Sequence, residues 1–167
     1  MKRKHHIRND SSLSLFTPPP AAPVAPITRT VRIEFDGGTP CNIPRLGYGN
    51  GYGSYRIDAE PIYRLNFNIP MSANVAEITT LSRAIETVAQ NFGKEGIALD
   101  IHGDSQIALK WARGATESGK PTKKVKAKFE LTDFGGAVAR LQGAVQGFAE
   151  VRATWRGRAA SVELFGH

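Results

Sequence analysis

Cysteine is almost absent from this chain of 167 residues: Cys41 stands alone. An internal disulfide and a multi-cysteine zinc site are therefore excluded, and the scarcity suits a reducing cytoplasm. No apolar run approaches the roughly 20 residues a helix needs to cross a bilayer, so a cytoplasmic protein with no membrane partner is expected. The basic N-terminus lacks the apolar core of a secretory signal. No internal repeat is visible. Acids are the minority: 15 Asp and Glu stand against 22 Lys and Arg, giving a net charge of +7 and a pI of about 9.8. That balance favours polyanions, nucleic acid before anionic membrane.

What is present suits one folded domain of ordinary composition, 41% hydrophobic and 22% charged. Its length permits a real core without covalent support, and a monomer is expected. Residues 1–29 read as a disordered tail, since five of the ten prolines lie there and few large apolar residues anchor it. Its basic start, Lys2, Arg3, Lys4 and Arg8, is a solvated leader or an arm that adds phosphate contacts. The domain is expected over residues 30–167.

Alternation in Val31-Arg32-Ile33-Glu34-Phe35-Asp36 predicts a strand that stops at Gly37-Gly38. The glycine-rich run from Gly47 to Gly53 lacks the Lys-Ser/Thr ending of a phosphate loop and opens no helix. It reads as turns and a second strand reaching Ile57, with Tyr48, Tyr52 and Tyr55 packing the sheet rather than facing substrate, the other reading open to them. Tyr63, Leu65, Phe67 and Ile69 mark a third strand. Val75, Ile78, Leu81, Ile85, Val88 and Phe92 recur at helical spacing over Asn74 to Phe92. A fourth strand follows over Ile97 to His102, then a short helix to about Trp111. A second periodic helix covers Phe134 to Phe148, and a last strand Val151 to Trp155. Residues 158–167 are ambiguous. Three leading strands suggest an antiparallel meander, and two later ones separated by helices should join in parallel. The fold class is thus α/β: a mixed five-stranded sheet flanked by helices.

Three carboxylates fall at the ends of these elements: Asp36 where the first strand stops, Glu77 in the first turn of the long helix, and Asp104 just after the fourth strand. If strands one and four are adjacent and parallel, both aspartates leave the same edge, and a helix crossing there can bring Glu77 to them. Such a trio is costly unless a cation relieves it, and its hard oxygens suit Mg²⁺ or Mn²⁺. Each residue also has a plainer explanation. Asp36-Gly37-Gly38 has turn chemistry, Asn74 and Glu77 have capping-box spacing, and Asp104 can cap the short helix.

The sequence resembles ribonuclease H type 1 over roughly residues 30–160. The resemblance rests on Ile33-Glu34-Phe35-Asp36-Gly37-Gly38, on Asn42 before a glycine-rich strand, on Asn74-Val75-Ala76-Glu77 opening a long helix, and on Ile101-His102-Gly103-Asp104-Ser105-Gln106. It implies the ribonuclease H-like fold and an endonuclease that cuts the RNA strand of RNA–DNA hybrids with two metal ions. Asp36 would bridge both ions, with Glu77 and Asp104 completing one. Asn42, Asn74 and Gln106 match positions that contact the hybrid in its minor groove, although such amides also serve turns and caps.

The family's fourth acid has two possible placements. In one, Val151 to Trp155 is the fifth strand, Arg158 takes the place of the family's histidine and Glu163 is the fourth ligand. In the other, Ser161 to Phe165 is the strand, Gly166-His167 is the family's Gly-His and the fourth acid is missing. The better alternation of Val151, Ala153 and Trp155 favours the first. Between Lys110 and Lys128 seven basic residues, Lys123 and Lys124 among them, face one acid, Glu117. Family members often carry a basic protrusion here that grips the DNA strand, as lysine–phosphate contacts would. Two other readings stay open: a catalytically weakened nucleic-acid-binding relative, and a DNA nuclease of the same superfold.

Overall fold

The computed structural model describes residues 26–43, 47–114 and 134–166. Five strands make the main sheet: β1 (Arg29–Gly38), β4 (Asn50–Ile57), β5 (Tyr63–Pro70), β6 (Ile97–Gly103) and β7 (Glu150–Trp155). Between the first two, β2 (Asn42–Ile43) and β3 (Gly47–Tyr48) form a small antiparallel ribbon. The sheet order is β5-β4-β1-β6-β7. β1, β4 and β5 pair antiparallel, whereas β6 joins β1 and β7 joins β6 in parallel. This is the mixed sheet expected from the strand and helix order.

Alternation on β1 decides what each sheet face carries. Val31, Ile33 and Phe35 point into the core, so Arg32, Glu34 and Asp36 leave by the other face. The core is closed by α1 (Ala73–Phe92), whose Ile78, Leu81, Ile85 and Val88 are fully buried. α2 (Gln106–Ala112) adds Leu109 and Trp111, and α3 (Phe134–Val145) adds Val138 and Leu141. The second face receives α4 (Arg158–Phe165), whose Phe165 is buried and accepts a hydrogen bond at its carbonyl from Arg64 of β5. Among the described residues no helix is long and apolar enough to cross a membrane.

Several boundaries differ from the sequence expectation. β1 does not stop at Asp36 but runs through both glycines, pairing Gly37 with Gly53 and Gly38 with Tyr52. These glycines serve close approach rather than a turn. A Cβ on Gly37 would lie 2.8 Å from the backbone N and Cα of Glu77. At its other end β1 begins at Arg29, and the amides of Thr28 and Arg29 both donate to the Gly96 carbonyl. The folded chain therefore reaches into the stretch expected to be tail. α3 stops at Val145, and Phe148 lies in the turn before β7. The ambiguous C-terminal stretch is the helix α4, ended by Gly166 in the left-handed region at φ 81°.

Because the atoms facing Gly37 are backbone, they cannot move aside as a flexible side chain would. Gly37→Ala is expected to cost about 1–3 kcal/mol of stability, the usual range for overpacking. A lowered urea midpoint with unchanged m-value would show it.

Candidate active site

The parallel pairing of β1 with β6 sets Ile33 beside Ile101 and Glu34 beside His102. Continuing that register by two residues brings Asp36 level with Asp104. Asp36 is 3% exposed, and the side chain of Asp104 is 9% exposed. α1 crosses the same end of the sheet, its backbone at Glu77 lying where a Gly37 side chain would be. The structure thus brings Asp36, Glu77 and Asp104 to one end of the sheet, and Glu77 senses the charge of both aspartates.

The plainer explanations of two of these acids fail. α1 is capped by Ser72, whose Oγ accepts from the Val75 amide at 3.3 Å. Glu77 therefore lies beyond the first turn and caps nothing, and Asn74 is an exposed first-turn residue rather than the cap. α2 is capped by Ser105, which accepts from the Ala108 amide at 3.2 Å, so Asp104 is not its cap. Instead, Asp104 Oδ1 is buried with no hydrogen-bond partner, and Oδ2 lies 3.7 Å from the guanidinium of Arg158, which is 72% exposed. A guanidinium so exposed offsets little of the buried charge.

Burial is the largest influence on Glu77 and pushes its carboxyl up. The Ser105 hydroxyl, donating to Oε2 at 2.5 Å, opposes that, while Asp104 and Asp36 push further upward and Arg158 opposes them; the result is a value of about 7. Hard oxygen donors, an orphaned buried carboxylate oxygen and mutual repulsion are what a divalent cation would relieve. Side-chain placement is looser than the donor chemistry: among the described residues no three His, Cys, Asp or Glu stand close enough to hold one metal ion.

The remaining predicted residues divide. Glu163 lies on the exposed side of α4, whose buried face is Ser161 and Phe165. It is Arg158, at the start of that helix, that meets Asp104. Asn42 accepts from the Ala73 amide at 3.2 Å and so ties the β2–β3 ribbon to the start of α1. Gln106 is exposed at the start of α2. Lys123, Lys124 and most of the basic stretch lie outside the described residues, as does His167.

Two polar features escaped sequence reasoning. One is Ser105, which serves as helix cap and as donor to Glu77 at once. The other is Glu34, two residues before Asp36 on the same strand face. Its Oε1 accepts from Arg32 at 2.9 Å and Arg156 at 2.7 Å, and its Oε2 from Arg56 at 2.5 and 2.9 Å. Burial disfavours its charge, but the hydrogen bonds and charges of Arg56 and Arg32 prevail and hold the carboxyl below its usual range. The signal for it was the polar alternation Arg32, Glu34, Asp36 within a strand whose other residues are apolar.

The raised value of Glu77 has a stability consequence with a definite sign. Between its ordinary 4.5 and about 7, the folded chain holds a proton that the unfolded chain releases. Its contribution is full below the ordinary value, falls as pH rises through this window and is absent above it. The loss is on the order of 3 kcal/mol. Glu77→Gln should remove this slope, so the difference in urea stability between wild type and variant should grow in the variant's favour from pH 4.5 to 7 and then level off.

No protein-family model and no curated protein matches the sequence. Solved structures do match. The N-terminal ribonuclease H domain of a Mycobacterium tuberculosis protein is 18% identical, covers 80% of this chain and 86% of its own, and has a TM-score of 0.60. Ribonuclease H1 from the halophilic archaeon Halobacterium salinarum is 24% identical over 79% of this chain and 89% of its own, with a TM-score of 0.55. LC11 ribonuclease H1, solved in complex with an RNA/DNA hybrid, is 18% identical over 80% and 89%, with a TM-score of 0.53. With the sheet order and helix placement already described, these matches establish that the chain has the ribonuclease H-like fold.

Proposed function

We propose that this chain is a ribonuclease H-type endonuclease of the type 1 family, hydrolysing the RNA strand of RNA–DNA hybrids with Mg²⁺ or Mn²⁺. The observation that carries the proposal is the convergence of Asp36, Glu77 and Asp104 at one end of a ribonuclease H-type sheet, with Asp104 Oδ1 buried and unpartnered. That a neighbour of this fold is held in complex with an RNA/DNA hybrid supports the substrate class. Under this reading the protein works as a monomer in the cytoplasm.

Asp36, Glu77 and Asp104 would hold the ions, and Glu163 is the candidate fourth ligand. The bound cations would supply a water acidic enough to attack the scissile phosphate and positive charge for the leaving oxygen. The chain's own groups do the rest by position. Ser105 donates to Glu77 Oε2 and fixes that carboxylate toward the aspartates. Arg158 is exposed beside Asp104 and offers a guanidinium to a phosphate oxygen. Asn74 and Gln106, exposed at the starts of α1 and α2, would read 2′-hydroxyls in the minor groove. Lys123 and Lys124 would bind backbone phosphates.

One observation favours a second reading, a nucleic-acid-binding module with a weakened site: among the described residues no three acids stand close enough for a metal as the side chains lie. A gel assay of a labelled hybrid with Mg²⁺, Mn²⁺ or EDTA separates the two. Cleavage with either metal and none in EDTA is expected; binding without cleavage under both metals selects the second reading. Asp36→Asn should abolish cleavage while leaving the circular dichroism spectrum intact, and full activity in that variant overturns the site. Glu163→Gln decides between three acids and four, since loss of a true ligand should cost about a hundredfold or more in rate, the lower end of what a lost transition-state contact costs.

A further inference from the structure

Trp155, the last residue of β7, is 53% exposed although it is the largest side chain near the acids. Such exposure is uncommon for an indole with no partner surface. Nor does the ring swing freely, because Nε1 donates to the Asp104 carbonyl at 3.1 Å. It forms one wall of a cleft of about 710 Å³ whose opposite side is α2 and the residue that caps it: Gln106, Ile107, Leu109, Lys110 and Arg113. Exposed Ile107 and buried Leu109 give the cleft an apolar floor. Lys110 and Arg113 make the rim cationic, and no carboxylate is among the described lining residues. Arg113 is anchored by donating to the Ala153 carbonyl.

We propose that this cleft is a stacking subsite for one unpaired nucleobase of a strand continuing out of the catalytic groove. The proposal rests on the nucleic-acid reading above for its strand and goes beyond it in what the cleft selects. A flat, pinned aromatic face beside an apolar floor takes a base by its ring face, and flanking cations take the adjoining phosphates. Bases inside a duplex have both faces covered by their neighbours. Only an unpaired or terminal base can therefore fill the cleft, so the protein should prefer hybrids that end in a single-stranded extension near the cut over blunt ones. The link from Trp155 Nε1 to the residue bearing the Asp104 carboxylate sets the subsite at a fixed distance from the acids.

The chain has only two tryptophans, and Trp111 is buried, so contact quenching by a bound base reports chiefly on Trp155. The full chain is titrated in EDTA with a short oligothymidylate, and separately with a blunt hybrid and the same hybrid carrying a single-stranded extension. Saturable quenching by oligothymidylate is expected, together with about tenfold tighter binding of the extended hybrid, as one stacked base would give. Trp155→Leu should abolish the quenching and the preference for the extension. Trp155→Phe, which keeps a ring face and loses the bond to the Asp104 carbonyl, should retain the preference. Absence of quenching in wild type, equal affinity for the two hybrids, or equal loss of the preference for the extension in the Phe and Leu variants, read with a labelled hybrid, overturns the proposal. Hybrid cleavage is scored separately with Mg²⁺. Quenching without cleavage sinks the catalytic reading and keeps the subsite, and cleavage without quenching does the reverse.

Discussion

β1 is hydrogen-bonded along both edges, antiparallel to β4 and parallel to β6, and α1 lies directly on its core face. That double pairing leaves the strand no freedom of register. A slip of one residue would turn Val31, Ile33 and Phe35 out of the core and Arg32, Glu34 and Asp36 into it. The same register sets Asp36 level with Asp104, and the missing side chain of Gly37 lets the backbone of α1 come close enough to deliver Glu77. The geometry of the acids is thus a by-product of constraints that the core already enforces.

Glu34 and the sheet end that holds Glu77 and Asp104 meet burial differently. Glu34 is surrounded by Arg32, Arg56 and Arg156, and its charge is held. Asp36 sits two residues further along, at the end where Glu77 is pushed toward neutrality and Asp104 keeps an unpartnered oxygen. Buried charge normally brings its own partners. A chain that supplies three arginines to one acid and leaves such tension two residues away concentrates its electrostatic cost at the sheet end, where a cation and a phosphate could relieve it. Arg156 also ties this arrangement to the start of α4, through which Arg158 reaches Asp104.

The strand and helix order, and the membership of Asp36, Glu77 and Asp104 in one end of the fold, were legible because periodicity and element ends are local properties. Local rules also misled. Asn74 and Glu77 have the spacing of a capping box, yet Ser72 caps the helix; Asp104 could have been a cap, yet Ser105 is. Neighbouring residues with similar capping chemistry cannot be ranked without the chain path that enters the helix. Gly37-Gly38 looked like a turn because glycine ends strands as readily as it admits a crossing backbone. α4 was ambiguous because eight residues ending in glycine, with only Ser161 and Phe165 buried, carry little periodic signal.

The sequence by itself determined the alternation of β1, the apolar stripe of α1 and the order of elements, because each depends on side-chain period along one segment. It also determined which residue types could meet a metal or a phosphate. Only the tertiary structure decided the rest, because each remaining feature joins residues far apart in the chain. Asp36 comes level with Asp104 through a parallel register, Glu34 collects arginines from β1, β4 and the segment before α4, Arg158 rather than Glu163 meets Asp104, and Trp155 faces α2 across an open cleft.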